Sequence, residues 1–149
     1  MLNEFRVSVH IDANIEQVWA KLVNWKSQGE WMALTKVWSN VDNAANPVSE
    51  SGIGTEIFAF TGIGKFGVLD KMRVTKWSPP TFCAVDHYGK LIKGIGEFRL
   101  TAVSQNRVRF DWYEEISAPK LILALVKPGI IVAVTYSLRK FARTFKARA

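Results

Sequence analysis

Residues 60–72 read FTGIGKFGVLDKM, and the fold turns on how this stretch is understood. Gly62-Ile63-Gly64-Lys65-Phe66-Gly67 matches G-x-G-x-x-G letter for letter, and Asp86 comes at about the spacing of a ribose-binding acid. A dinucleotide loop needs a strand, a glycine turn and then a helix, because the pyrophosphate rests on the helix N-terminus. The segment after Gly67 does not have helical spacing. From Asp70 the chain alternates, with Met72 and Val74 on one side and Lys71, Arg73 and Thr75 on the other. It stops at Ser78-Pro79-Pro80, too soon for a crossover helix. The glycines therefore predict a hairpin turn, where a positive φ is needed, and no nucleotide site. GIG also recurs at Gly52–Gly54 and Gly94–Gly96, so a chance match is easy to generate.

The same texture extends outward. Alternating runs at Lys36–Val41, Thr55–Thr61, Leu69–Trp77, Phe82–Tyr88, Ile92–Ala102 and Val108–Ile116 are divided by turn signals and predict an antiparallel meander. Phe5, Val7, Val9 and Ile11 alternate as a further strand at the start. Asp12 or Asn14 can cap a helix carrying Ile15, Val18, Trp19 and Leu22, and a second short helix is expected within Trp25–Met32. Pro119 to Ala149 reads as helix, with Val134, Leu138, Phe141 and Phe145 as its apolar stripe. A sheet with one face of Phe, Trp, Val and Met cannot leave that face in water, and the C-terminal helix is its natural cover. A curved sheet around one helix leaves a cleft, the usual form of a small-molecule site.

Composition narrows the class. The chain has 149 residues, enough for one domain (1–149) with a real core. Its one cysteine, Cys83, excludes an internal disulfide and suits a reducing cytoplasm. The start shows no basic segment leading into an apolar run, so no signal peptide is expected. A formal charge of +7 raises the question of RNA or anionic-membrane partners.

Several runs carry a family resemblance. They are Ile11-Asp12-Ala13, Ile15-Glu16-Gln17-Val18-Trp19, Gly52-Ile53-Gly54-Thr55, Arg73 to Pro80, Gly94-Ile95-Gly96-Glu97-Phe98, Phe110-Asp111-Trp112 and Leu138-Arg139-Lys140-Phe141. Together they resemble the START-like, helix-grip superfamily (Bet v 1-like, SRPBCC), in its polyketide cyclase/dehydrase and lipid-transport branch. The resemblance implies an α+β helix-grip fold: a curved seven-stranded antiparallel sheet wrapped around a long C-terminal helix, with two short helices between strands 1 and 2. It also implies an apolar ligand such as a lipid, steroid, quinone or polyketide. No cofactor is expected, and no metal, because the chain has only two histidines and no close pair of ligand-type residues at helical metal spacing. The resemblance transfers no catalytic residue, because the superfamily has no universal catalytic set.

Strand parity nominates the cavity wall. Val108, Phe110, Trp112 and Glu114 share a face, as do Gly96 and Phe98, Val85 and His87, and Asp70, Met72 and Val74. Glu56, Phe58 and Phe60 likewise share a face and are assigned to the same inner wall. The expected ligand-binding set is therefore Glu56, Phe58, Phe60, Met72, Val74, Val85, Phe98, Phe110 and Trp112, each of which would equally serve as plain core. His87, near neutrality when unperturbed, is the candidate proton shuttle, oriented by Asp70 or Glu114. If the protein is an enzyme, this trio would serve aldol cyclisation or dehydration without a metal. The plainer reading is a satisfied histidine beside the Gly89 turn. Cys83 and His87, about 13 Å apart along one strand, do not form a catalytic pair.

Two alternatives concern the C-terminal helix. Leu121 to Val134 is very apolar but interrupted by Lys127-Pro128-Gly129, and neither half reaches membrane-spanning length. It is expected to be a kinked, buried helix, or else a membrane-touching gate. The basic run Arg139 to Arg148 would suit RNA or a ribosome, although a solvated face explains it as well, and nucleic acid is not the expected partner.

Overall fold

The structure is a computed structural model and describes residues 2–146. In chain order the elements are β1 (Leu2–Ile11), α1 (Ile15–Leu22), a 3-10 turn (Trp25–Glu30), β2 (Thr35–Ser39), α2 (Pro47–Glu50) and β3 (Glu56–Ile63). Then come β4 (Phe66–Ser78), β5 (Phe82–Tyr88), β6 (Lys93–Ser104), β7 (Arg107–Ser117) and α3 (Lys120–Lys146). The seven strands form one antiparallel sheet in the order β1-β7-β6-β5-β4-β3-β2. This is the α+β helix-grip fold. The short helix α2 lies between the expected strand runs Lys36–Val41 and Thr55–Thr61. Asn46 caps it through its side chain and Pro47 opens it, both local signals that the turn residues around them obscured.

The glycine-rich stretch is a hairpin. Ile63 pairs with Phe66, which leaves Gly64 and Lys65 as its turn, with Gly64 at φ +60°. Gly62 and Gly67 face each other across the ladder, and a Cβ on Gly62 would come within 2.1 Å of the Phe66 carbonyl oxygen. Both reasons for glycine, left-handed backbone and close approach, apply within this one turn.

The core is concentrated at one end. Asn14 caps α1 by accepting the Gln17 amide, and α1 buries Val18, Trp19 and Leu22. Along α3, Leu138, Phe141 and Ala142 are buried, whereas Arg139, Lys140 and Arg143 stay exposed, so the described part of the basic run is a solvated face. Arg148 and the rest of that tail lie outside the described residues. Phe141 packs at 4.7 Å from Trp31 and 5.9 Å from Phe110, and Phe98 bridges Phe110 to Trp112 at 5.3 and 5.1 Å. The N-terminal half of α3 continues as helix through Pro128 and, among its described side chains, has no comparable packing. Leu121, Ile131 and Val132 are exposed there, so the expected burial of this half is corrected. The reason is that Ile122, Leu123 and Ile130 border open volume on the sheet side instead of side chains.

Replacing Gly62 with alanine tests the close approach. Gly62→Ala should cost about 1–3 kcal/mol in a denaturant titration, because the backbone of Phe66 and Gly67 must shift to admit the methyl group. Lys65→Ala in the same turn should be close to neutral.

Candidate functional site

A cavity of about 560 Å³ lies between the inner face of the sheet and the N-terminal half of α3, partly open to solvent. Met72, Val85, Phe98 and Trp112 line it from four strands, and Ile122, Ile130 and Val134 line it from the helix. Asp70, His87 and Glu114 share this lining. The sequence pattern also assigns Val74 and Phe110 to the cavity wall. They are instead fully buried in the packed end, because their strands carry them past the cavity toward Leu138 and Phe141.

Three further assignments are corrected. Glu56, Phe58 and Phe60 lie on the outer face of β3, and Ile57, Ala59 and Thr61 face the cavity. Directly paired residues share a face, and the hairpin register sets Ile57 opposite Met72 and Ala59 opposite Asp70. Met72 and Phe58 therefore cannot both point inward. Outside, Phe58 stacks on Trp38 with ring centroids 5.8 Å apart. Glu56 accepts a 2.9 Å hydrogen bond from Arg73. The aromatics of β3 thus serve the exterior, and beyond Ile57 its inward positions carry only the small Ala59 and Thr61. Parity also missed Gln28 and Ser137, which line the cavity while tied to the backbone of Leu22 and Ala33.

The polar floor is a relay across four strands. His87 Nδ1 lies 2.8 and 2.9 Å from the two Asp70 carboxylate oxygens, and Nε2 lies 2.7 Å from Glu114 Oε2. The Trp112 indole N–H donates to Glu114 Oε1 at 2.8 Å. Asp70 stands on β4, His87 on β5 and Glu114 on β7, so Glu114 must reach over β6. Gly96 of β6, paired with Glu114, permits this: a Cβ there would come within 2.9 Å of both Glu114 carboxylate oxygens. Gly96 thus leaves the space that the Glu114 carboxylate occupies.

Burial is the largest single influence on the imidazole and would lower its pKa. The hydrogen bonds to Asp70 and Glu114, together with their charges, outweigh it and raise the pKa to about 10. Both ring nitrogens of His87 are thus committed to carboxylates. While this arrangement lasts, neither nitrogen is free to bond a ligand carbonyl. Cys83 also lines the cavity, and burial pushes its thiol up to about 12, so it packs as a small apolar group. Among the described residues no cluster of three or more His, Cys, Asp and Glu side chains has the arrangement of a metal site.

The comparisons with known proteins agree with this architecture. A family model described as polyketide cyclase / dehydrase and lipid transport matches residues 3–149, and the chain belongs to that family. No curated protein matches it significantly. Among solved structures, the Zhui aromatase/cyclase from Streptomyces sp. R1128 is similar at TM-score 0.70 and 13% identity, covering 96% of this chain and 95% of that one. A START superfamily protein from Mycobacterium smegmatis is similar at TM-score 0.71 and 7% identity, with 95% and 97% covered. Norcoclaurine synthase from Thalictrum flavum, in complex with dopamine and hydroxybenzaldehyde, is similar at TM-score 0.66 and 10% identity, with 100% and 89% covered. At such identities these likenesses establish the shared fold.

The raised pKa of His87 has a signed consequence for stability. Because folding lifts it from 6.5 to about 10, the stabilisation is fully present below pH 6.5 and is lost as pH rises through about 10. Wild type should therefore exceed His87→Gln by on the order of a few kcal/mol at pH 6, with the gap closing by pH 10. Paired urea titrations across that range measure it, and parallel curves would contradict the assignment.

Proposed function

We propose that the protein encloses one small hydrophobic molecule, of lipid, quinone or polyketide-like character, between its sheet and α3. The observation that carries this reading is the cavity of about 560 Å³ with a mostly apolar lining, on whose β3 side Ala59 and Thr61 are small. A ligand burying about 400 Å² of apolar surface gains on the order of 10 kcal/mol gross, which association and ordering costs reduce to roughly micromolar affinity. Binding needs nothing further from the protein. Cyclase- or dehydrase-like turnover would need a free base, and the carboxylates Asp70 and Glu114 are better placed for that than His87, whose ring nitrogens are both engaged.

Ala59→Phe separates cavity from core. It should weaken binding of the neutral fluorescent probe N-phenyl-1-naphthylamine at least tenfold while moving the melting temperature by only a few degrees. Undiminished probe binding in this variant would place the ligand elsewhere.

A second reading concerns loading from a membrane. The hairpin tip exposes Ile63 (73%) and Phe66 (87%) around Lys65, and α3 exposes Ile131 and Val132. Among the described residues no helix is long and apolar enough to cross a membrane, so contact would be interfacial. Co-sedimentation with vesicles containing anionic lipid should drop several-fold in Phe66→Asp, and equal co-sedimentation would end this reading.

A further inference from the structure

We propose that the cavity's occupant carries a protonated amine, directed at the carboxylates of Asp70 and Glu114. The inference deepens the cavity reading above and rests on it.

The charge of the floor is set by geometry. His87 Nδ1 faces Asp70 and Nε2 faces Glu114, and each contact requires one proton. With both protons on the ring, an imidazolium stands between two carboxylates. With one proton moved to a carboxyl group, a neutral ring stands between an acid and a carboxylate. In either arrangement the trio carries a net charge of −1, wherever the protons reside.

Among the described residues no lysine or arginine forms an ion pair with this charge. Among the described residues, the ion pairs made by arginine go to Glu56, Asp12 and Asp111, and none reaches Asp70 or Glu114. The one further donor to the floor is the uncharged Trp112 indole N–H. Lys127 also lines the cavity, but it is solvent-exposed and forms no ion pair with either carboxylate. The side chains of Asp70 and Glu114 are 19% and 9% exposed, so their charge is only partly screened by water. A chain with a formal charge of +7 thus keeps a negative floor inside its apolar cavity.

The occupant must match that environment. An anionic head group would meet repulsion there, and the only floor cation, His87, has already committed both of its N–H groups. An ammonium group supplies up to three N–H donors and one positive charge, which closes the balance. Its apolar body would lie against Met72, Val85, Phe98 and Ile130.

Three chain-matched ligands test this by isothermal titration calorimetry at pH 7, below micelle-forming concentrations: decylamine, 1-decanol and decanoate. In wild type the amine should bind at least tenfold more tightly than decanoate, with the alcohol between them. Glu114→Gln and Asp70→Asn each remove one negative charge, and each should reduce that preference to threefold or less. Decanoate binding as tightly as decylamine in wild type would overturn the proposal, as would a preference that both variants retain. If decanol binds without any amine preference, the amine assignment alone fails. If none of the three binds, the cavity reading fails and takes the amine assignment with it.

Discussion

The seating of Phe141 against Trp31 and Phe110 is the contact on which the architecture depends. Burying one phenylalanine contributes about 1.5–3 kcal/mol, and here three large rings share a single nucleus with Leu138 and Leu100. This fixes the C-terminal half of α3 in the concavity of the sheet. The other half is then carried along as its helical continuation, at a separation set by the aromatic end. Small residues on the facing strand do not fill that separation. The cavity is a consequence of gripping a long helix at one end only.

The polar floor is maintained against a cost. Placing an imidazole and two carboxylates among apolar side chains is expensive, and a well-packed aliphatic set of similar volume would often be neutral or more stable. The trio persists because each member satisfies another, with Trp112 completing Glu114 and Gly96 yielding the space in which they meet. Perturbed ionisable groups of this kind gather at functional sites. The geometry shifts attention from the histidine, which is internally consumed, to the carboxylate oxygens at the cavity surface.

Much of the fold was legible because its signals are local. Alternation placed β5 at Phe82–Tyr88, and Asn14 announced the start of α1. The trio was legible as well, because parity on β4, β5 and β7 put Asp70, His87 and Glu114 on one face. Parity says which residues share a side of one strand and not which side faces in. On β3 the face shared by Glu56, Phe58 and Phe60 was assigned inward, and it is the outer one. The correcting signal lay in the hairpin: once Gly64-Lys65 is taken as the turn, Ile63 meets Phe66, and counting back sets Ala59 beside Asp70. Distances along the helix were hidden for a different reason. Val134 and Ile130 belong to one stripe with Leu138, and only the tertiary packing decides which part of a stripe meets protein and which meets space.

Strand order has a kinetic implication. β1 hydrogen-bonds to β7 along its whole length, and Ser8 meets Asp111 across a sequence separation of 103 residues. The hairpins between β3 and β7 can form from neighbouring segments, but the first strand has no partner until the last one has been synthesised. Loop-closure entropy is thus met late, and contacts so distant in sequence slow the search for the native topology. During translation the N-terminal strand, with Phe5, Val7 and Val9 on one side, must wait as an unpaired apolar ribbon, which makes that interval the stage at which a chaperone would matter most.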